Sequence, residues 1–370
     1  MIRCFLPLLF SAGLIAAERD DAIAAAMRRM IDQHEIPGAV TVITTPTGVT
    51  HLGVIGHANA AATLPLKKNS IFWIASMTKP ITAVAVLMLQ EEGKLSIEDR
   101  LGKYLPEFAA STVTLKHMLT HTSGMGEATT EELKSAKTLA DLVPVYAKKP
   151  AFFPPGESWK YCQSGINMLG RVVEVVSGQT LDVFLETRLF RPLGMKDTTF
   201  YLSEKQMPRL VTPVRSEDGK LIDSKVALLN GRLATDRDRY PAANGGLFST
   251  GPDYARFAQM LLRGGEVKGK RYLSEKSFAL MTANQTGTLK AGFIPGHAWG
   301  LGVGVVQETQ GQTAMSQPGT FGHGGAYGTQ AWMDPKSGIA LILMVQRTNF
   351  KNSDDSPVRL AFQQAATETR

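Results

Sequence analysis

The sequence has only two cysteines in 370 residues, which excludes a small fold held together by several disulfides. After the N-terminal segment it has no apolar run long enough to span a bilayer. Its 40 Lys and Arg residues outnumber its 33 Asp and Glu residues, yet no stripe of basic and aromatic residues indicates a nucleic-acid or anionic-membrane surface. Internal repeats and low-complexity tracts are also absent. The hydrophobic content of 44% therefore predicts a globular chain with a sizeable core.

Residues 1–17 have the pattern of a secretory signal peptide. Arg3 precedes an apolar run over 5–15, and two alanines at 16 and 17 precede charged residues. Cleavage after Ala17 or after Gly13 fits this pattern, and an uncleaved anchor is the alternative, although the run is too short to cross a bilayer. We expect an exported protein, periplasmic or secreted. Cleavage would remove Cys4 and leave Cys162 alone, which could form no internal disulfide.

Hydrophobic periodicity predicts where the chain is helical and where it is extended. Apolar residues at helical spacing predict a helix over 18–34, and alternation predicts two strands over 39–45 and 49–56. A helical pattern broken by Pro- and Gly-containing loops covers 81–290. Short β-prone runs follow, and then a closing helix over 355–367; the runs are 299–307, 320–324, 329–334 and 338–346.

The simplest architecture places these strands in one antiparallel sheet flanked by the N- and C-terminal helices. The fold class is then α/β, of the α+β type, with a mostly helical domain inserted into the sheet domain. We predict a sheet domain over 18–80 and 291–370 and a helical domain over 81–290. The catalytic cleft is expected between the two.

One S-x-x-K pattern, Ser76 to Lys79, opens an apolar run over 81–89 that predicts a buried helix. Residues three apart lie on one helix face, with Cβ atoms about 5–6 Å apart, so the amine can reach the hydroxyl. The helix N-terminus would favour an anion formed by Ser76 and lower the pKa of Lys79. Pro80 predicts an irregular first turn. Taken alone, the pattern also fits a capping serine beside a solvated lysine.

Residues 161–163 carry groups that a nucleophilic serine would need. Tyr161 can relay protons beside a lysine, and the amide of Gln163 can hold a substrate carbonyl. A tyrosine packed under a loop is the alternative. The intervening Cys162 is interpreted as a small buried packing residue.

The run GHGGA at 322–326 lies between two β-prone runs. Gly324 and Gly325 would let a ligand or backbone approach the strand closely, and the N–H of Ala326 could join that of Ser76 in an oxyanion hole. The run is not a dinucleotide fingerprint, because Tyr327 replaces the last glycine and no helix follows.

These three segments, in this order, resemble the serine β-lactamase and penicillin-binding-protein superfamily. The similarity is greatest to its class C-like branch, which includes family VIII carboxylesterases, D-aminopeptidases and DD-peptidases. It extends over about residues 20–365 and includes three framework stretches: LTHTSGM at 119–125, PLGM at 192–195 and GGLFST at 245–250. A G-x-S-x-G elbow of the α/β-hydrolases is absent.

The resemblance implies a specific chemistry. Ser76 would form an acyl-enzyme, Lys79 and Tyr161 would share general base and acid work, and the N–H groups of Ser76 and Ala326 would form the oxyanion hole. It implies no metal or organic cofactor, and the histidines at 117, 121 and 297 lack metal-ligand spacing. Which of Lys79 and Tyr161 is the immediate base stays open.

Two departures from the family pattern bear on the substrate. His323 stands where family lactamases carry a lysine, and at an ordinary pKa near 6.5 it is mostly neutral at pH 7. Gln163 is one methylene longer than the asparagine often found there. Both favour small neutral carboxylic esters over β-lactams. The alternatives are a β-lactamase or D-amino-acid peptidase on the same site and a non-catalytic binding protein with this fold; the oligomeric state is not indicated.

Overall fold

The structure, a computed structural model, describes residues 7–368, with side chains described from residue 16. The described residues form these strands: β1 (Gly38–Thr44), β2 (Val49–Gly56), β3 (Phe72–Trp73), β4 (Val214–Glu217), β5 (Lys220–Asp223), β6 (Phe248–Ser249), β7 (Glu266–Val267), β8 (Lys270–Arg271), β9 (His297–Trp299), β10 (Gly304–Val306), β11 (Phe321–Gly324), β12 (Gln330–Asp334) and β13 (Ile339–Met344).

The α-helices of the same residues range from one to seven turns. They are α1 (Pro7–Asp32), α2 (Thr78–Glu91), α3 (Leu115–Leu119), α4 (Thr130–Ser135), α5 (Leu139–Ala147), α6 (Gln163–Ser177), α7 (Leu181–Leu185), α8 (Arg191–Leu193), α9 (Gly251–Leu262), α10 (Glu275–Thr282) and α11 (Pro357–Thr367).

Seven strands form one antiparallel sheet in the order β2-β1-β13-β12-β11-β10-β9. The N-terminal hairpin therefore pairs with the C-terminal strands, as predicted: Val40 of β1 lies opposite Met344 of β13 and Val54 of β2. This pairing brings the two ends of the chain into one sheet and confirms the predicted architecture.

Both faces of the sheet are covered, so every residue of β1 is buried. Because side chains alternate along a strand, Ala39 and Ile43 pack with α1 and α11 on one face. Val40 and Val42 belong to the larger core on the other face, where α9 lies against β1 and β13. That larger core continues through α2 and α6, so the sheet and the helical region share it. The division into two domains stays a prediction.

One predicted strand was wrong. The run 299–307 is a hairpin, in which Trp299 of β9 lies opposite Gly304 of β10. The turn needs Gly302, whose φ is 73° and where a Cβ would lie 2.7 Å from the Cβ of Ala83 on α2. The close approach of this turn to α2 explains why a β-prone run is interrupted here.

The first helix is longer than predicted, because α1 runs from Pro7 through the predicted leader end at residue 17 to Asp32. Residues 1–6 of the predicted leader lie outside the described residues. Within residues 7–368, no helix combines the length and hydrophobicity needed to cross a bilayer.

Candidate active site

Ser76 lies in a 3₁₀ turn, Ala75–Met77, that leads directly into α2. The turn contains Ala75 at φ 45°, a strained value for a residue with a side chain. Pro80 follows in the first turn of α2, where it cannot donate to the Ser76 carbonyl, so the predicted irregularity is present. The result is a partly exposed serine at the start of a buried helix.

The turn carrying Ser76 is held from two sides. Ile74 donates its N–H to Leu247 O at 3.0 Å, and the strand β3 just before it pairs with β6. On the other side Thr329 donates from Oγ1 to Ile74 O at 3.4 Å. The framework stretch at 245–250 and the β11–β12 connection therefore both position the turn that carries Ser76.

Lys79 is fully buried on the same face of the helix as Ser76. Its Nζ lies 3.2 Å from Ser76 Oγ, 2.9 Å from Gln163 Oε1 and 2.7 Å from Asn244 O. Burial lowers the pKa of Lys79 to about 7, although the negative charge of Glu127 opposes this change. The lowered pKa that a lysine base requires is therefore present, and burial is its main cause.

The neighbours of Lys79 determine where its lone pair points. A neutral amine has two N–H groups and one lone pair, and a carbonyl oxygen can only accept. Gln163 Oε1 and Asn244 O therefore take both N–H groups. The lone pair is left facing the third neighbour, Ser76 Oγ, from which it can accept the hydroxyl proton.

Gln163 contributes to this arrangement mainly by holding the amine. Its Oε1 accepts from Lys79 and also from Asn244 Nδ2 at 2.8 Å. No residue in the described part of the chain accepts from its Nε2, which is the group that could meet a substrate carbonyl. The predicted substrate contact stays a prediction.

Tyr161 lies over the amine, with Lys79 Nζ 4.5 Å from the centre of its ring. Burial raises the pKa of Tyr161 well above its usual range, and the nearby Ser76 hydroxyl offsets part of that rise. Its Oη lies 3.3 Å from Nε2 of His323. The structure thus brings the three predicted catalytic side chains together.

His323, on β11, is only 3% exposed. Burial, helped by the charge of Lys79, lowers its pKa to about 3, so the ring is neutral as expected. Its Nδ1 lies 2.6 Å from Gly324 O, a pure acceptor, so Nδ1 carries the proton and Nε2 the lone pair. The lone pair faces Tyr161, so His323 contacts the predicted catalytic phenol, and its predicted substrate contact stays a prediction.

The predicted oxyanion groups lie on adjacent elements. Ala326 is exposed in the β11–β12 turn, and a Cβ on the preceding Gly325 would lie 2.7 Å from Ile74 O. Among the described residues, the N–H groups of Ser76 and Ala326 donate no backbone hydrogen bond. Gly324 is required for packing within the protein, because a Cβ at this position would lie 2.1 Å from Asp354 Oδ1. The oxyanion hole stays a prediction.

Two residues that the sequence did not predict, Glu127 and Asn244, contact or surround Lys79 and Gln163. Glu127 accepts from Gln163 N at 2.5 Å and Ser164 N at 3.1 Å, which satisfies free N–H groups at the start of α6 and places a carboxylate near Lys79. Asn244 supplies two contacts, one to Lys79 and one to Gln163. Neither residue belongs to a motif with a fixed spacing, although Asn244 directly precedes the framework stretch at 245–250.

Cys162 is buried, as expected for a packing residue, and His121 packs beside it. The thiol is buried, and this raises the pKa of Cys162 to about 11. His121 is fully buried at φ 59°, accepts from Cys162 N through Nδ1 at 3.1 Å, and packs on Tyr161. Burial holds the pKa of His121 well below its usual value. Across residues 7–368, no group of three His, Cys, Asp or Glu residues could hold a metal ion.

The chain is similar to proteins of one known family. The Beta-lactamase family model matches residues 23–366. Penicillin-binding protein 4 from Amycolatopsis lactamdurans is 31% identical, with 84% of this chain and 81% of that protein covered. Esterase EstB from Burkholderia gladioli is 27% identical, with 91% and 92% covered.

A solved structure supports the same fold. EstCE1, described as a hydrolase with promiscuous acyltransferase activity, superposes with a TM-score of 0.80 at 22% identity, covering 95% of this chain and 100% of that one. The fold, the site and these relatives define the protein as a serine hydrolase. The chain belongs to the Beta-lactamase family, which confirms the predicted resemblance.

Proposed function

We propose that the protein is a carboxylesterase that hydrolyses small neutral esters through an acyl-enzyme on Ser76. The observation that carries this proposal is the contact of 3.2 Å between Lys79 Nζ and Ser76 Oγ, made by an amine whose pKa is about 7. Near neutral pH a large fraction of such an amine is uncharged and can accept the hydroxyl proton.

The steps follow from the positions of these groups. Ser76 Oγ attacks the ester carbonyl as its proton passes to Lys79 Nζ, and the carbonyl oxygen becomes an oxyanion that the N–H groups of Ser76 and Ala326 would stabilise. The C–O bond to the alcohol then breaks, and the alcohol oxygen takes the proton from Lys79 through Tyr161. Water then takes the place of the alcohol: its oxygen bonds to the acyl carbon as its proton passes through Tyr161 to Lys79. The bond from the acyl carbon to Ser76 Oγ breaks, Ser76 regains its proton from Lys79, and the carboxylic acid is released.

Lys79 is the better candidate for the immediate base. The pKa of Tyr161 is raised well above its usual range by burial, so the phenol keeps its proton at neutral pH. The pKa of Lys79 is about 7, close to the value that general base catalysis favours. Tyr161 then serves as a neutral proton relay.

The preference for neutral esters rests on His323. Family lactamases resemble this chain in the order of their motifs but carry a cation here, which binds the substrate carboxylate. His323 is neutral, with a pKa of about 3, and its Nε2 faces Tyr161. The site therefore offers no positive charge at this position for an anionic β-lactam. The similarity to esterase EstB favours the same choice.

A β-lactamase or D-amino-acid peptidase is the second candidate, because the acyl-enzyme chemistry is shared. The similarity to penicillin-binding protein 4 supports it. A non-catalytic binding protein is disfavoured by the close contact of Ser76, Lys79 and Tyr161.

Steady-state kinetics with p-nitrophenyl butyrate and nitrocefin would separate the two enzymes. We expect a higher kcat/KM for the ester, and loss of both activities in Ser76→Ala. Faster turnover of nitrocefin would favour the β-lactamase. Ester turnover that survives Ser76→Ala would show that another residue is the nucleophile.

We further propose that the protein is exported with loss of its leader. The described side chains of α1 that pack in the core run from Ala22 to Ile31, beyond both candidate cleavage sites, so cleavage would leave this packing intact. N-terminal sequencing of the periplasmic or secreted protein should give Glu18, or Leu14 for the earlier site. A cell-associated protein that keeps Met1 would contradict the proposal.

A further inference from the structure

Aromatic side chains surround one edge of Tyr161. The ring of Phe293 lies 4.7 Å from that of Tyr161 in an edge-to-face arrangement, and the rings of Trp299 and Trp159 lie 6.0 and 6.4 Å from it. Phe293 also packs edge-to-face on Trp159, at 5.8 Å. Polar groups also contact the phenol: Lys79 Nζ lies 4.5 Å from the centre of its ring, and Nε2 of His323 lies 3.3 Å from its hydroxyl.

Two of these aromatics reach the surface. Phe293 is 37% exposed and Trp159 is partly exposed, whereas Trp299 is buried. Phe293 lies in the connection between α10 and β9. Gly292, with φ 90°, precedes it, and Gly296, with φ 80°, follows three residues later. The carbonyl of Phe293 accepts a hydrogen bond from Asn352 Nδ2 at 3.1 Å. The ring of Phe293 is therefore in contact both with solvent and with the ring of Tyr161.

We propose that this surface binds an aromatic ring in the alcohol part of the substrate, so that the preferred substrates are aryl or arylmethyl esters. This inference rests on the proposed function, in which Tyr161 delivers the proton to the leaving alcohol. Because that proton transfer requires contact with the alcohol oxygen, the group on that oxygen must lie beside Tyr161. The exposed apolar surface at that position is formed by Phe293 and Trp159.

The expected preference for an aromatic over a saturated ring amounts to a few-fold in kcat/KM. An aromatic pair in edge-to-face or offset geometry contributes about 0.5–1.5 kcal/mol beyond its buried area, which corresponds to about 2- to 12-fold in kcat/KM. A saturated ring of similar size buries comparable area but lacks this geometry. The preference should therefore appear between two substrates that differ only in the aromaticity of the ring.

Benzyl acetate and cyclohexylmethyl acetate are such a pair. Both alcohols are primary, and both esters give the same acetyl-enzyme, so their kcat/KM ratio reports binding and acylation alone. We expect the ratio to favour benzyl acetate by about 3- to 10-fold. It should fall to within about twofold of unity in Phe293→Leu and persist in Phe293→Tyr, which keeps a ring.

Phe152→Leu is the matched control. Phe152 is another exposed phenylalanine, at 53%, and its ring neighbour is Lys160 rather than Tyr161. This variant should keep the benzyl preference of the unsubstituted protein.

A ratio near unity in the unsubstituted protein, or one that Phe293→Leu leaves unchanged, would overturn the inference. Labelling of Ser76 by a fluorophosphonate probe distinguishes the two claims. If Ser76 is labelled and the ratio is flat, only the aromatic subsite is wrong. If Ser76 is not labelled, the proposed function fails as well.

Discussion

The hydroxyl of Tyr161 lies 3.3 Å from Nε2 of His323, and this contact determines where both protons are. His323 donates from Nδ1 to Gly324 O and is neutral, so Nε2 can only accept. Tyr161 therefore donates its hydroxyl proton to His323. Its lone pairs face the Ser76 side and can accept the proton from Lys79. To pass a proton on to the leaving alcohol, the hydroxyl then turns from His323 to the alcohol oxygen.

Replacing His323 tests this orientation. His323→Leu removes the acceptor and should lower kcat by about 3- to 10-fold, the range expected for one lost hydrogen bond, with little change in KM. His323→Gln keeps an acceptor and should recover part of the loss. Equal losses in the two variants would mean that His323 only fills space.

Glu127→Gln should change the pH dependence of catalysis. The charge of Glu127 raises the pKa of Lys79, so its removal should lower that pKa below about 7. The uncharged base then persists at lower pH, and the acid limb of the kcat/KM profile should move toward lower pH.

Glu131→Gln makes the same change of charge at an exposed position and is the control. It should leave the profile in place. A Glu127→Gln profile that stays fixed or moves to higher pH would contradict the assignment of the acid limb to Lys79.

Gly325→Ala should increase the distance between the GHGGA run at 322–326 and Ser76. The added Cβ would lie 2.1 Å from Thr329 Oγ1 and 2.7 Å from Ile74 O, so the β11–β12 turn must shift away from Ser76. We expect lower kcat/KM and a loss of about 1–3 kcal/mol in the free energy of unfolding, as for other overpacked sites.

Gly48→Ala provides the comparison, because a Cβ there meets no atom within 4 Å. It should leave thermal unfolding and kcat/KM nearly unchanged. Normal activity in Gly325→Ala would mean that the turn does not position the catalytic groups.

The sequence predicted the sheet and the contact between Ser76 and Lys79 because both leave local patterns. Strand β2 has the predicted bounds, 49–56, and the three-residue spacing of Ser76 and Lys79 predicted that their side chains lie close together, as they do. Strand alternation and helical spacing are properties of neighbouring residues, so a single chain displays them.

The rest of the site depends on distant segments. Asn244 reaches Lys79 from 165 positions away, and Glu127 acts through the start of α6. Phe293 meets Tyr161 from a loop with no regular pattern. No spacing within one sequence predicts such contacts. The hairpin at β9 and β10 was missed for a similar reason, since its turn is shaped by α2.

The pH dependence of Ser76 labelling by a fluorophosphonate probe, followed by peptide mass spectrometry, tests the central claim most directly. The fraction of uncharged Lys79 rises with pH through its pKa, so the labelling rate should rise with a midpoint near pH 7. Lys79→Met should label very slowly at every pH. Adducts on another residue, or rapid labelling of Ser76 in Lys79→Met, would contradict the account.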